Sequence, residues 1–268
     1  MDNIKQFWEI EEITETEELS TEDQKCIDFY NKTTRRLTDG RYEVRIPFIE
    51  QYEQELGSTK ELAVAQFKNL EKKFNKQPEL AQQYRDFIHE YQQLNHMRRS
   101  TSNLPSEIFL PHHSVLRQES TTTKLRVVFN ASAKTTTGKS LNDIMCKGPN
   151  LQQDLQKLIL KWRQFRYAYT ADIEKMYRQI KIHEEDQRFQ KNIWRDSSEQ
   201  SLQEHQLTTV TYGTKSAPFL AMMTLRKLAT DEKLSFPEVT DIVMESFYMD
   251  DLLHGSHTIE EGQNKFTN

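Results

Sequence analysis

The stretch ESFYMDDLLHG, residues 245–255, sets two adjacent carboxylates, Asp250 and Asp251, inside an apolar run. Charged side chains are rarely placed among Phe, Tyr, Met and Leu unless a partner compensates their charge. The apolar run predicts a return to strand between about residues 241 and 256, with the Asp pair marking either a turn or a metal site. A metal site would need a further carboxylate from a neighbouring element.

Asp172 is the candidate for that carboxylate, because it ends the predicted strand RYAYTAD, residues 166–172. Side chains alternate along a strand, so Ala168, Thr170 and Asp172 share one face. Nucleotidyl transfer uses two Mg²⁺ ions held by carboxylates, one activating a primer 3′-hydroxyl and the other holding the triphosphate. Two other interpretations stay open, since Asp172 can cap the following helical turn and an Asp-Asp pair is common in ordinary turns.

Composition limits the class of protein. A chain of 268 residues with 35% hydrophobic and 29% charged residues can form one large domain or two small ones. No run approaches about 18 apolar residues and the acidic start lacks a signal-peptide run, so we expect neither a membrane span nor secretion. Cys26 and Cys146 lie far apart in sequence, which predicts a reduced, intracellular and cytoplasmic chain.

Charge is unevenly distributed. The net charge is −5, yet residues 1–30 carry −8 while residues 117–166 hold ten Lys or Arg and three Asp or Glu, hence +7. A basic stretch behind an acidic head is compatible with binding of nucleic-acid phosphates. An ordinary solvated face explains the same pattern equally well.

The pattern before Pro105 is mostly helical, and we place a segment boundary between residues 104 and 105. A helix is predicted after the capping residues Ser20 and Thr21, and a strand over TDGRYEVRIPF, residues 38–48. Apolar residues at helical spacing predict a helical hairpin over residues 58–97, started by a Ser58–Glu61 capping box and restarted at Pro78.

Residues 105–268 mix short strands with helices. Strands are predicted at residues 109–117, 123–132, 188–195 and 205–213, and helices at residues 150–165 and 216–232. This order predicts an α+β fold with an antiparallel sheet. His112 and His113 lack Cys/His partners at metal-ligand spacing, so we interpret them as a structural pair.

Three segments occur in the order of the reverse-transcriptase palm motifs: AYTADIEKMYRQI (168–180), TVTYGTKSAPFLA (209–221) and FYMDDLLHG (247–255). Residues 110–143, LPHHSVLRQESTTTKLRVVFNASAKTTTGKSLND, resemble the fingers segment. The sequence of these segments closely resembles that of the BEL/Pao group of long-terminal-repeat retrotransposon polyproteins. Residues 7–48 look like the segment that those polyproteins carry between protease and reverse transcriptase.

The resemblance implies a right-hand polymerase fold with fingers and palm over residues 105–268, after a helical linker over residues 1–104. It implies RNA-directed DNA polymerase activity with two Mg²⁺ ions, for which Mn²⁺ can substitute. The implied partners are an RNA or DNA template with its primer, and deoxynucleoside triphosphates. Asp172, Asp250 and Asp251 match the catalytic metal ligands, and we expect their carboxylates to converge within about 4–8 Å of one another.

Four further residues match the nucleotide site of the family. Tyr177 matches the bulky residue under the sugar of the incoming nucleotide, where its ring would exclude a 2′-hydroxyl. Arg126 and Lys124 match fingers cations that meet the triphosphate, and Gly213 matches a glycine that admits the nucleotide or template. From the residues alone, each also fits a plainer role: a core tyrosine, a solvated hairpin and a turn glycine.

Two departures from the family matter. Its VVFDAS segment has Asn130 here in place of the acidic residue, which removes a charge from the fingers. Only seventeen residues follow Asp251, too few for a thumb, so we expect a polyprotein piece or a truncated insertion. The alternative function is therefore an inactive remnant that retains only nucleic-acid binding. For residues 1–268 alone we expect salt-sensitive duplex binding with little or no primer extension.

Overall fold

The computed structural model describes residues 19–100, 106–116 and 125–267, and these ranges contain eight α-helices and eleven strands. The helices are α1 (Thr21–Thr33), α2 (Tyr52–Glu55), α3 (Lys60–Lys76), α4 (Pro78–Gln93), α5 (Leu155–Trp162), α6 (Ala217–Asp231), α7 (Pro237–Glu245) and α8 (Ile259–Thr267). None of these described helices combines the length and apolar composition that a bilayer crossing requires.

The strands are β1 (Arg35–Arg36), β2 (Tyr42–Val44), β3 (Met97–Arg99), β4 (His112–Leu116), β5 (Leu125–Phe129), β6 (Tyr167–Asp172), β7 (Lys181–Ile182), β8 (Lys191–Trp194), β9 (Gln203–Leu207), β10 (Phe247–Tyr248) and β11 (Asp251–Ser256). They form four small sheets in the orders β1-β2-β7, β10-β11-β6, β3-β9-β8 and β4-β5. All strand pairs are antiparallel except β2 with β7. The α+β class is confirmed, with several small sheets in place of one.

Two helices in residues 1–104 begin at local start signals that are visible in the sequence. Ser20 caps α1, its hydroxyl oxygen accepting a hydrogen bond from the backbone N–H of Asp23 at 3.1 Å. Pro78 occupies the first turn of α4, where its missing N–H costs nothing. The predicted capping box is wrong, because α3 begins after Thr59, whose hydroxyl instead accepts from the N–H of Phe109 at 2.7 Å.

Two elements near the carboxylates differ from the sequence-based prediction. Residues 237–245 form helix α7 rather than strand, since Pro237 opens a helix and Val239 and Val243, four residues apart, face α6 across an apolar groove. Helix α5 begins only at Leu155, because Asp154 caps it by accepting from the N–H of Lys157.

The buried apolar residues form one cluster, which we call the main core, running in sequence from Cys26 to Met222. It draws on residues from both sides of the predicted boundary at 104/105, and strand β3 before that boundary pairs with β9 beyond it. The sheet β10-β11-β6, which we call the carboxylate sheet, contributes no described residue to the main core. The carboxylate sheet is therefore carried at the periphery of the packed body.

Candidate active site

The register of the carboxylate sheet places Asp172 and Asp251 directly opposite each other. β6 and β11 are antiparallel, and their pairing runs from Asp172 with Asp251 to Tyr167 with Ser256. Residues that face each other across antiparallel strands project their side chains to the same face of the sheet. Asp172 and Asp251 therefore share one face, at the end of the sheet where the β10–β11 hairpin turns.

Asp250 lies in that turn. Tyr248 pairs with Asp251, which leaves Met249 and Asp250 as a two-residue hairpin turn. Met249 has a φ of 56°, whereas Asp250 does not have a positive φ, a pattern typical of a type II′ turn. The N–H of Ile173 donates to the carbonyl oxygen of Asp250 at 2.9 Å, which ties the turn to the end of β6.

The left-handed backbone at Met249 is a strained conformation for a residue with a side chain. The side-chain amide of Gln152 donates to the sulfur of Met249. The side-chain amide of Gln153 donates to the carbonyl oxygen of Met244 at 3.0 Å. The segment before α5 thus braces both the hairpin turn and the end of α7. Sequence reasoning missed both glutamines, because it placed them inside a longer helix.

The three carboxylates repel one another. Desolvation, followed by the negative charges of Asp250 and Asp251, raises the pKa of Asp172 above its usual range, with a smaller contribution from Glu174. Asp172 and Asp251 are exposed and Asp250 is half-buried. Among the described residues, no lysine, arginine or histidine forms an ion pair with any of the three. The site is an uncompensated negative patch.

The carboxylates occupy neighbouring strand ends without forming a closed metal cage. Within the described ranges, no group of three His, Cys, Asp or Glu side chains is positioned to hold a metal ion. The expected convergence to about 4–8 Å thus remains a prediction. The donor set itself consists of carboxylate oxygens, which suits Mg²⁺, an ion that uses one or two carboxylates and completes its shell with water and substrate phosphates.

Tyr177 lies in the 3₁₀ turn Met176–Gln179, which follows strand β6 and its last residue Asp172. It is half-buried and packs against the main core. Burial, and next the negative charge of Asp250, raises the pKa of its hydroxyl. Tyr177 thus packs against the main core and also feels the charge of Asp250. A role as a core tyrosine and a role at the nucleotide site are therefore compatible.

The hairpin β4–β5 presents Arg126 outward. Arg126 pairs with Val115 across the hairpin, is exposed, and forms no ion pair with a carboxylate of the described residues. Lys124 lies outside the described residues. The backbone beneath Arg126 is anchored by Tyr212, whose hydroxyl donates to the carbonyl oxygen of Val127. As far as the described residues show, this guanidinium has no carboxylate partner and could bind an anionic ligand.

Gly213 follows Tyr212 and has a φ of +91°, a conformation that glycine adopts without strain. A Cβ built there would lie 3.5 Å from the carbonyl oxygen of Phe129, which is ordinary contact, so the backbone angle rather than crowding demands glycine. Asn142, which sequence reasoning missed, donates to the carbonyl oxygen of Gly213 at 3.0 Å and accepts from the N–H of Lys215 at 2.8 Å. This geometry favours a turn role for Gly213.

The basic stretch is partly neutralised within the fold. In the described part of this stretch the ion pairs include Lys134 with Asp143 at 2.6 Å, Lys139 with Glu55 at 3.7 Å and Lys161 with Glu245 at 3.2 Å. These pairs reduce the positive charge that is available to phosphates. We therefore expect weaker duplex binding than the charge count alone suggests.

Two polar residues of the segment 110–143 have structural roles. Asn130 caps its own turn, its side-chain oxygen accepting from the N–H of Ser132 at 3.0 Å. His112 is buried, with Nδ1 beside the hydroxyl of Tyr84 and Nε2 at 2.9 Å from the carbonyl oxygen of Ile193, and burial lowers its pKa to about 4. The interpretation of His112 as structural is confirmed.

Comparison with known proteins adds a limited likeness. No protein-family model and no curated protein matches the chain. One solved structure that it resembles is a foamy viral protease–reverse transcriptase in complex with double-stranded DNA, with a TM-score of 0.48 and 16% sequence identity. The match covers 66% of this chain and 26% of the solved one. A likeness at this level does not assign a function.

Proposed function

We propose that this chain carries the fingers and palm of an RNA-directed DNA polymerase of the BEL/Pao retrotransposon type. The observation that carries the proposal is the register of the carboxylate sheet, which sets Asp172 opposite Asp251 beside a strained turn that holds Asp250. Like charges brought together without a cation destabilise a fold. Strain and repulsion at one place are typical of a functional site.

Asp172, Asp250 and Asp251 are the residues that would hold two Mg²⁺ ions, or Mn²⁺ in their place. Once bound, such ions activate a primer 3′-hydroxyl and neutralise the charge of the triphosphate and of the leaving group. The fit rests on the oxygen-only donor set and on the uncompensated charge around Asp172. Within the described ranges the three carboxylates form no closed metal cluster, so the polymerase proposal requires water and substrate phosphates to complete the coordination of each ion.

The chain's own side chains bind and orient the nucleotide. The exposed guanidinium of Arg126 offers paired donors to triphosphate oxygens, and Lys124 would add a point charge. Tyr177, next to Asp250, would pack under the sugar and exclude a 2′-hydroxyl. The turn at Gly213 lies against the carbonyl oxygen of Phe129, at the end of strand β5 that also carries Arg126.

A second candidate is an inactive remnant that binds template–primer without turning over nucleotide. The neutralised lysines and the absence of a converged three-carboxylate cluster among the described residues favour it. Under this alternative the carboxylates would not bind nucleotide in an Mg²⁺-dependent way, while the basic stretch would still bind a duplex with strong salt dependence.

The experiment is a nucleotide titration of residues 1–268 on an RNA–DNA primer–template, with Mg²⁺ or Mn²⁺ and with chelator. The polymerase proposal expects metal-dependent binding of deoxynucleoside triphosphate that Asp250→Asn weakens by about tenfold or more. Asp241→Asn, the same charge change at an exposed position on α7, serves as the matched control. Duplex binding without metal-dependent nucleotide binding would overturn the polymerase proposal and favour the remnant. Extension of a labelled primer in the same mixtures reports turnover.

A further inference from the structure

Arg178 is a buried cation directly after Tyr177, in the same 3₁₀ turn, with 8% of its surface exposed. Its Nε donates to Nδ1 of His96 at 2.8 Å and its Nη2 donates to Oε1 of Glu90 at 3.1 Å. Its guanidinium carbon lies 3.9 Å from the centroid of the Tyr91 ring. A cation is stable in such a position only when its charge and its donors are compensated, as they are here.

All three partners come from α4 or the turn after it, inside the segment 1–104. Glu90 also reaches Lys175 at 3.5 Å, so one carboxylate holds a cation from before Tyr177 and another from after it. Lys175 itself has a φ of 53°, a strained conformation that neighbouring contacts must stabilise. Helix α4 therefore grips the turn around Tyr177 from both ends.

The backbone of the turn is held as well. Arg41 donates to the carbonyl oxygen of Arg178 at 2.7 Å and to that of Gln179 at 3.0 Å. With side chains and carbonyls both engaged, the turn has few ways to rearrange without breaking several contacts at once. The direction in which Tyr177 projects is thus decided by residues far from it in sequence.

Tyr91 extends the same grip to the hairpin β4–β5. Its ring centroid lies 6.0 Å from that of Phe129, at the end of β5. Its side chain also interacts with that of Tyr212, the residue before Gly213, and Tyr212 in turn donates to the carbonyl oxygen of Val127. Tyr91 therefore contacts both Arg178, in the turn Met176–Gln179, and Tyr212, which anchors the hairpin that carries Arg126.

We propose that Glu90 and Tyr91 are positioning residues of the nucleotide site, which act through Arg178 to aim Tyr177 and so set the preference for deoxyribo- over ribonucleoside triphosphates. This inference rests on the function proposed above. Discrimination by a sugar-excluding ring depends on where the ring stands, and a misplacement of about 1 Å can cost up to about a hundredfold in such sites. Residues 1–104 then contribute to nucleotide selection rather than serving only as a linker.

The first test asks whether α4 holds the turn, without any nucleotide. Hydrogen exchange of the backbone amides of residues 174–180 is measured in wild type, Glu90→Gln and Tyr91→Leu. We expect exchange about tenfold faster in both variants, because local opening of the turn becomes easier. Tyr91→Phe, which keeps the ring under the guanidinium, and Glu79→Gln, an exposed change on the same helix, are the matched controls. Unchanged exchange in the two variants would overturn the inference.

The second test measures the selection itself. On primer–template with Mg²⁺, the affinities of a deoxyribo- and a ribonucleoside triphosphate are compared in the same proteins and in Tyr177→Ala. We expect the deoxyribonucleotide preference to fall about tenfold in Glu90→Gln and Tyr91→Leu, towards the value of Tyr177→Ala. A general loss of stability would weaken both affinities together and leave their ratio unchanged.

The outcomes separate the two proposals. A wild-type preference that Tyr177→Ala abolishes and Glu90→Gln leaves intact overturns the positioning role while the polymerase proposal stands. A wild-type chain that binds no nucleotide overturns the polymerase proposal and the role in selection with it, and the exchange data still decide whether α4 holds the turn. Glu90 is 44% exposed, so Glu90→Gln keeps both tests decisive should Tyr91→Leu fail to fold.

Discussion

The main core and the carboxylate sheet are built on opposite principles. In the main core, Tyr84 and Trp194 stack with centroids 5.5 Å apart and an interplanar angle of 11°, and Phe67 meets Trp194 edge-on at 5.5 Å. In the carboxylate sheet, strand β6 exposes five of its six residues, and the hairpin turn carries a positive φ at Met249. One region buries aromatic surface, while the other presents charge on a strained backbone.

The two regions contribute to the stability of the fold with opposite signs. Aromatic packing of this kind contributes both through the burial of apolar area and through ring geometry. Repelling carboxylates and a left-handed Met249 work against folding, and the surrounding structure must hold them. Substitutions in the two regions should consequently change stability in opposite directions.

The largest expected effect is in the main core. Trp194→Ala removes a side chain that is 2% exposed and touches Phe67, Phe74, Tyr84 and His112. We expect the free energy of unfolding to fall by about 3–5 kcal/mol, because a large cavity replaces packed rings. Urea denaturation followed by circular dichroism measures this loss.

The matched comparison is Leu160→Ala on α5, the helix that flanks the carboxylate sheet. Leu160 is 62% exposed, so we expect a change below about 0.5 kcal/mol. Equal losses for the two substitutions would contradict the division of the molecule into a stabilising core and a peripheral sheet.

Two buried histidines near the main core should make the stability depend on pH. Burial lowers the pKa of both His96 and His112 from 6.5 to about 4, with the Arg178 cation as the second cause for His96. Between about pH 6.5 and 4 these histidines are therefore protonated in the unfolded chain and still neutral in the folded chain. The free energy of unfolding consequently falls as the pH is lowered through this window. Each histidine contributes a slope of up to about 1.4 kcal/mol per pH unit.

His112→Gln tests the slope rather than the stability alone. This variant should be less stable at pH 7, having lost the ring contacts to Phe129 and Trp194, yet its stability should decline less steeply between pH 6 and 4.5. His113→Gln, at the exposed neighbouring position, is the control. A slope that is the same in wild type and His112→Gln would show that His112 takes up its proton equally in the folded chain.

Much of the helical structure could be predicted because its causes are local. Ser20, Pro78 and the apolar spacing in α3 and α4 act over a few residues, and the structure has those helices where the sequence puts them. Residues 237–245 could not be assigned that way, because a short apolar run fits a strand as well as a helix until its packing against α6 is known. The role of Thr59 could not be predicted either, because its hydroxyl bonds to the backbone of Phe109, which is distant in sequence.

The candidate site was predictable in its residues and not in its arrangement. Ordered motifs pointed to Asp172, Asp250 and Asp251, and the β6–β11 register now places two of them face to face. The bracing of Met249 by Gln152 and the grip of Glu90 on Arg178 join residues about ninety or more positions apart. No local periodicity encodes such pairings, which depend on how the sheets and α4 come together.

The smallest expected effect is a gain of stability in the carboxylate sheet. A carboxyl whose pKa is higher in the folded chain than in the unfolded one costs stability once the pH exceeds its folded value, and Asp172 is such a group. Asp172→Asn should therefore stabilise the metal-free fold at pH 7 by about 0.2–0.5 kcal/mol, the scale of exposed charge interactions. The gain should fade as the pH falls towards the ordinary aspartate value of 3.8.

Asp241→Asn on α7 controls for the change in net charge, and added Mg²⁺ should stabilise wild type more than Asp172→Asn, since binding to the folded state adds stability by mass action. A loss of stability in metal-free Asp172→Asn would mean that this carboxylate supports the fold, and the opposition between the main core and the carboxylate sheet would then fail at its central residue.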